Sequence, residues 1–188
     1  MADLYTKDDV RVWGDLGGAV FWAPKGTALP EEWDEPLNAA FKPTGILSED
    51  GVEEELSVDS NKIKGWPAGQ TVRVTNTSTE KTIKFTPLQD TPLVAQLYYG
   101  TGAPTSDGGT GARIDIPEAV GLVEGSIVVV KVDGDTVKRR CCELVQVTER
   151  GSVTSNTEDA AGREITVESV GVDYELTNAA AYVAAIVP

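Results

Sequence analysis

The sequence predicts a mainly β, antiparallel domain with one flanking α-helix, and three features support this. Apolar and polar residues alternate in several short runs, such as 52–58 and 81–86, which is typical of strands with one buried face. The most apolar run, 127–133, ends in an Asp-Gly pair, a strong signal for a tight hairpin. Only 91–100 combines a capping residue, an early proline and a closing glycine, so one helix is expected.

Size and composition indicate a single domain over 1–188. The chain has 188 residues, of which 40% are hydrophobic, enough for one core. It has no run of about 18 apolar residues, so no transmembrane helix is expected. The first six residues lack the basic and apolar regions of a secretory signal, and we expect the chain to fold in a cytoplasm.

The charge balance argues against a nucleic-acid-binding protein. Sixteen Lys and Arg residues face 30 Asp and Glu residues, giving a net charge of −14. Phosphates need cations, so a chain this acidic is a poor binder of DNA or RNA. The simplest reason for the charge is solubility.

The first third of the chain predicts an arm, a strand and a long connection. Residues 1–16 are interpreted as an N-terminal arm that orders on assembly, and 19–23 as a strand that ends at Pro24. Residues 25–42 are rich in proline and acids, and a connection this long is unusual in a compact domain. Its aromatic residues either pack on a neighbouring subunit or on this chain's own core; these residues are Trp33 and Phe41.

A turn at 48–51 precedes strands whose two faces differ. After a loop that holds Trp66, two further runs, 71–76 and 81–86, are interpreted as a hairpin joined by the polar link 77–80. Alternation places one apolar set in the core, interrupted by Glu54. The expected core set is Val52, Leu56, Val72, Val74, Ile83 and Phe85, and the opposite polar set includes Glu53, Glu55, Arg73, Thr75, Thr82 and Lys84.

The helix has recognisable ends and one apolar stripe. Thr91 can cap it, Pro92 suits its first turn and Gly100 suits its exit. The stripe should lie against a sheet; it consists of Leu93, Val94, Leu97 and Tyr98.

The second half of the chain predicts a glycine-rich loop at 101–112 and then mostly strands. The run 127–133 should be covered on both faces, and 137–149 should return beside it. A strand at 165–170 is expected to pair with 172–176. The tail after 177 is small and apolar, either a last strand or a docking segment, so 177–188 is treated as a separate C-terminal segment.

No feature indicates catalysis or a cofactor. The chain has no histidine, so neither a Ser-His-Asp nor a Cys-His arrangement is possible. Glu53 and Glu55 share a face, but in so acidic a chain we prefer a solvated acidic face to an acid–base pair or a divalent-ion site. Cys141 and Cys142 should point to opposite faces of a strand as free thiols. The basic cluster 138–140 is better explained by an inter-subunit salt bridge or a solvated turn than by nucleic acid.

The order of several segments resembles the major tail tube proteins of long-tailed (siphovirus-type) bacteriophages, in particular those of phages that infect actinobacteria. The resemblance covers most of the chain up to about residue 170. It is carried by the ordered set, since none of the segments performs chemistry: Gly18–Pro24, Gly45–Val52, Gln70–Arg73, Leu97–Gly100 and Gln146–Gly151.

The resemblance implies a β-sandwich-like or barrel-like structural subunit of the virion tail, with long inter-subunit loops. Six such subunits would form a ring, and stacked rings a tube that conducts DNA without binding it. The polar set above would line the lumen. The long loop and strand region 25–69 would contact the next ring through Trp33, Phe41 and Trp66. The implied partners are further copies of the chain and the tape measure, tail terminator and distal tail proteins. The alternative is a β-sandwich binding module, such as an adhesin or a capsid decoration domain.

Overall fold

The computed structural model describes residues 9–186. Residues 1–8 of the expected N-terminal arm and the last two residues of the C-terminal segment lie outside this range. Ten strands and two helices follow one another along the described chain. They are β1 (Ala19–Pro24), β2 (Lys42–Pro43), β3 (Leu47–Lys64), β4 (Thr71–Pro87), α1 (Pro92–Tyr99), β5 (Thr105–Ser106), β6 (Ala112–Arg113), β7 (Glu124–Asp133), β8 (Thr136–Arg150), β9 (Ile165–Ser169), β10 (Asp173–Thr177) and α2 (Ala180–Ile186).

One curved antiparallel sheet organises the molecule, as the sequence predicted. Its strand order is β2-β1-β7-β8-β9-β4-β3, while β5 and β6 form a small separate ribbon. The hairpin between β7 and β8 turns at Gly134, whose φ is 57°. This positive φ is the conformation that the Asp-Gly signal predicted.

Strand β10 pairs with β8 and not with β9, which corrects the expected pairing of 172–176 with 165–170. Strand β8 is 15 residues long, and β9 and β10 lie end to end along one of its edges. Gly171 and its neighbour Val170 both donate backbone hydrogen bonds to the Leu144 carbonyl. The short link therefore steps along β8 instead of reversing the chain.

Two clusters of buried side chains lie on opposite faces of β7 and β8. The larger lies inside the curved sheet, under α1. The smaller lies on the outer face, under the 25–42 connection and β10. Strand β7 is therefore covered on both faces, as predicted. The larger cluster includes Val20, Ile83, Phe85, Leu97, Ile127, Cys142 and Val167, and the smaller includes Ala23, Phe41, Val128 and Cys141.

The predicted hairpin within 71–86 is wrong, because β4 runs without a break from Thr71 to Pro87. Residues 78–80 of the polar link pair with 57–59 of β3; the link is rich in threonine, which suits a strand. The reversal lies instead at 65–70, where Gly65 donates to the Gln70 carbonyl and Gly69 has a φ of 62°. The predicted turn at 48–51 is an irregularity within β3.

Helix α1 has the predicted ends. The Thr91 hydroxyl accepts a hydrogen bond from the Val94 amide at 3.3 Å, and Gly100 adopts the left-handed conformation with a φ of 64°. Within the predicted stripe, Val94 and Leu97 are buried, whereas Leu93 and Tyr98 pack against the larger cluster. Local chemistry fixes these ends, and the stripe holds the helix on the sheet.

The C-terminal segment forms a short helix, α2, rather than a last strand. None of the side chains of α2 is buried. Tyr182 lies under the Lys138 ammonium group, with 5.5 Å between Nζ and the ring centre. The segment thus lies on the surface close to the start of β8.

Candidate functional site: the projecting β3–β4 hairpin

The hairpin of β3 and β4 projects beyond the body of the domain. Strand β9 pairs only with Thr82–Phe85 of β4. Farther out, within the described chain, β4 pairs only with β3, and β3 has no partner on its other side. We name the portion from 55 to 81 the extension. Its two outer edges are unpaired, which is the arrangement that invites another strand.

A bulge in β4 aligns the polar residues of the extension. Asp59 is opposite Ser78, whereas Ser60 is opposite Asn76, so Thr77 is an extra residue. Because of the bulge, the polar face carries odd-numbered residues of β4 before Thr77 and even-numbered residues after it. Residues opposite one another in the two strands share a face. All six polar candidates therefore lie on one face, which also carries two acids that the sequence analysis did not single out. The paired residues are Glu53 with Lys84, Glu55 with Thr82, Asn61 with Thr75 and Ile63 with Arg73; the added acids are Asp59 and Glu80.

The polar face is more acidic than basic. Its four carboxylates outnumber Arg73 and Lys84. Lys84 lies 3.3 Å from a Glu164 oxygen and 3.4 Å from a Glu53 oxygen. Hydrogen bonding and charge from Glu164, and then from Glu53, raise the pKa of Lys84 above its ordinary value. Neither Glu55 nor Arg73 forms an ion pair within the described residues. The face is thus charged and open to solvent.

The opposite face is apolar but is buried only near the body. Ile83 and Phe85 are buried and Val52 packs against them. The other expected core residues are wrong as core positions: Leu56 is 67% exposed, Val72 70% and Val74 53%. Nothing in the described part of the subunit, residues 9–186, lies over them, because they belong to the extension. Alternation identified the correct face but could not show which part of it is covered by another element of the subunit.

A chain of ion pairs fixes the base of the hairpin to the body. The Lys131 ammonium is 2.7 Å from a Glu54 carboxylate oxygen, which is also 3.9 Å from Arg140. Asp173 lies 3.2 Å from Arg140 and 3.3 Å from Lys81. Positive and negative charges therefore alternate from β7 to β3, then through β8 and β10 to β4. This network explains why Glu54 interrupts the apolar side. Partly buried pairs of this kind depend strongly on each partner.

Low pH should weaken the attachment of the hairpin to the body. Burial raises the pKa of Asp173, but hydrogen bonds from Ser169, Lys81 and Arg140 outweigh it, and the pKa lies below the ordinary 3.8. A carboxyl group whose pKa is lower in the folded chain than in the unfolded chain stabilises the fold at pH values above its unfolded-state pKa. This stabilisation is lost as the pH falls through the folded-state pKa. We expect Asp173→Asn to lower the melting temperature at pH 7 and to flatten its decline below about pH 4. If the melting temperature of the variant fell below about pH 4 as steeply as that of the unmodified chain, this prediction would be wrong.

Two residues of the basic cluster 138–140 form ion pairs within the subunit, and the third donates a hydrogen bond to a backbone carbonyl. Lys138 lies 2.6 Å from Glu175, Arg139 donates to the Glu35 carbonyl and Arg140 contacts Asp173. The expected solvated turn is wrong, since these residues lie in β8, whereas the alternative of an inter-subunit salt bridge stays a prediction. Because the partners are far away along the chain, the sequence did not reveal them.

Comparison with known protein families gives a clear result. The family model described as "Phage tail tube protein" matches residues 6–185. The chain belongs to this family. No curated protein matched the chain. Tail tube proteins are structural components of the virion tail and not an enzyme family.

For a tail tube protein, the aromatic candidates for contacts between subunits differ in accessibility. Phe41 is 6% exposed and lies in the subunit's own outer cluster, which corrects its assignment to a ring contact. Trp33 is 40% exposed and Trp66, at the tip of the extension, is 96% exposed. Residues 25–42 pack on the body, where the Tyr174 hydroxyl donates to the Pro30 carbonyl at 2.7 Å. The interval 25–69 is therefore a packed connection followed by a long strand, not one loop.

The described part of this tail tube protein holds no cluster of metal-ligating side chains, and none of its helices is long and apolar enough to span a membrane. Both cysteines are free and buried, on opposite faces of β8. Burial raises the pKa of the Cys141 thiol to about 11 and that of Cys142 to about 12. The thiols are thus inert packing groups at neutral pH.

Proposed function

We propose that the chain is the major tail tube subunit of a long-tailed, siphovirus-type phage resembling those of actinobacteria. Six copies form a ring, and stacked rings enclose a channel for DNA. The observation that carries this proposal is the extension, which has two unpaired edges, one polar face and one exposed apolar face. In the described part of a single copy, both edges are unpaired and the apolar face is uncovered.

The two unpaired edges of the extension, one on β3 and one on β4, explain how a ring could close. An isolated two-stranded hairpin is marginally stable in water, and unpaired edges promote association. If β3 of one subunit pairs with β4 of the next, each copy uses two different edges. Such a head-to-tail contact closes into a ring when the rotation permits. The extensions then form a continuous barrel without edges.

The channel wall follows from the two faces. In a closed barrel, side chains alternate between the inside and the outside. The polar face, with Glu53, Glu55, Asp59 and Glu80 outnumbering its cations, suits a water-filled bore. The apolar face, including Leu56 and Val74, then packs outward against subunit bodies. DNA would pass beside a wall that offers phosphate little attraction.

The remaining partners follow from this role. Copies of the chain assemble in the host cytoplasm into the virion tail. The tape measure protein would occupy the growing tube, and the terminator and distal tail proteins would contact its ends. None of these contacts requires a cofactor or a membrane.

The test is to shorten the extension. Ser57 and Glu80 are directly opposite each other, so residues 58–79 can be replaced by Asn-Gly, which favours a two-residue hairpin turn. The variant keeps Glu54, Lys81 and the pairing with β9. We expect the full-length chain to form sixfold rings and open tubes by negative-stain electron microscopy, and the variant to remain a folded monomer.

Two outcomes would contradict the proposal. Tubes formed by the shortened variant would remove the extension from the ring. A full-length chain that stays monomeric at high concentration but binds purified capsids would favour a decoration module. Circular dichroism of the variant distinguishes lost assembly from lost folding.

A further inference from the structure

The tip of the extension differs in charge from the rest of the chain. Residues 60–79 contain three cations, Lys62, Lys64 and Arg73, and no acid. Because the whole chain has a net charge of −14, the remainder is more negative still. Within the described residues, none of the three cations forms an ion pair. The tip is therefore a small positive surface at the end of an acidic subunit.

The tip also presents a large apolar side chain. Trp66 is 96% exposed and Ile63 is 49% exposed. Exposed tryptophan beside basic residues is typical of a contact surface, because tryptophan and arginine contribute strongly where interfaces exclude water. The tip thus combines an apolar anchor with cations around it.

A groove of matching chemistry lies at the other end of the same strand. Its volume is about 830 Å³, and it lies between the start of β3, β1 and the end of β7. Its lining includes the apolar side chains of Leu47 and Val52, the ion pair of Glu54 with Lys131, and the acids Glu49 and Asp50. Both acids are exposed, and neither forms an ion pair in the described part of the chain. A groove that is partly apolar and carries more acids than cations complements a tryptophan flanked by lysines.

The tip cannot reach the groove of its own subunit. From Val52, in the groove, to Lys64, near the tip, β3 advances by twelve residues. At about 3.3 Å per residue this is about 40 Å, and pairing with β4 holds the strand extended. A contact between tip and groove must therefore join two copies. Since the contacting surfaces differ and lie at opposite ends of one strand, copies joined this way extend along a line instead of forming a closed pair.

On the basis of the proposed tube, we propose that the tip docks into the groove of a subunit in the adjacent ring. Trp66 packs on the apolar part of the groove, near Leu47 and Val52, and Lys62 and Lys64 pair with Glu49 and Asp50. A second copy of the chain is favoured over DNA as the partner, because the tip exposes an apolar ring and the same chain provides a groove of opposite charge. The contact sets the polarity of stacking, since tip and groove cannot exchange roles.

The experiment is a charge swap. Lys62→Glu with Lys64→Glu should raise the concentration needed for tube formation about tenfold or more at low salt, because like charges across an interface cost several kcal/mol. Adding Glu49→Lys with Asp50→Lys to the same chain should restore tubes. The matched control adds Glu158→Lys with Asp159→Lys, two exposed acids in the 151–164 loop, and should restore nothing. Sedimentation measures polymer, and electron microscopy distinguishes rings from tubes.

The outcomes of the charge swap distinguish the contact between tip and groove from the proposed tube itself. Normal tubes from the reversed tip would overturn the contact while leaving the proposed tube subunit intact, and so would rescue by the control pair. Failure of the unmodified chain to form rings would instead contradict the proposed function. If reversing the tip abolishes retention of duplex DNA by tubes that still stack normally, the tip serves DNA and the proposal is wrong. Melting temperatures close to that of the unmodified monomer confirm that each variant is folded.

Discussion

Phe85→Ala should destabilise the isolated subunit by about 3–5 kcal/mol, the usual cost of removing a buried aromatic side chain. Phe85 is 1% exposed and lies in the larger cluster with Ile83 and Leu97. Leu56 occupies the same apolar face but is 67% exposed in the extension. Leu56→Ala should therefore change the free energy of unfolding by no more than about 0.5 kcal/mol. Urea unfolding of the two monomers measures both values.

Assembly should reverse this order. In the proposed ring the apolar face of the extension packs on subunit bodies, so Leu56→Ala should weaken polymerisation although it leaves the monomer stable. Equal losses of monomer stability in the two variants would contradict the structure, since they would place Leu56 in the subunit core. Normal polymerisation of Leu56→Ala would instead remove this side chain from the ring contact.

The contrast shows what the sequence could predict and what it could not. Alternation depends only on neighbouring residues in a strand, and it placed Leu56 and Phe85 on the same face correctly. Burial depends on whether another element lies over that face. Strand β9 reaches only Thr82–Phe85, and no local pattern states where its coverage ends. The core was therefore predicted correctly near the body and wrongly in the extension.

The shared face of the six polar candidates was predicted correctly for the wrong reason. The prediction that Arg73 and Lys84 share a face assumed a turn between two short strands. The chain does not turn there, and in one regular strand an odd and an even position would point to opposite faces. The bulge at Thr77 restores the shared face. A bulge has no reliable signature in a single sequence, so the correct grouping required the structure.

Features set by neighbouring residues were the most predictable. The ends of α1 depend on Thr91 and Gly100, and the turn between β7 and β8 on Gly134. In contrast, the ion pairs of Glu54 join residues far apart along the chain. The same is true of Tyr174 and Pro30, which hold the 25–42 connection on the body. Such partners follow from the sheet order, which short-range patterns do not specify.

The charge of the proposed bore leads to the last prediction. Glu53→Lys with Glu55→Lys would change the balance of the polar face from acidic to basic. Both residues are exposed, and Lys84 keeps Glu164 as a partner, so tubes should still form. A basic wall attracts phosphate within about one Debye length, roughly 8 Å at physiological salt. DNA release should therefore be slower than in unmodified virions, and the delay should shrink as salt is raised.

The measurement is the time course of DNA release from virions that carry the altered tube, at low and high salt. The matched control is Glu31→Lys with Glu32→Lys, which makes the same change in net charge on exposed residues of the 25–42 connection. It should leave release unchanged, because that connection lies on the body and not on the polar face of the hairpin. Unchanged release from normal tails that carry the Glu53 and Glu55 substitutions would place these residues outside the bore. Equal delays in both variants would show that total charge, and not the charge of the wall, governs the passage of DNA.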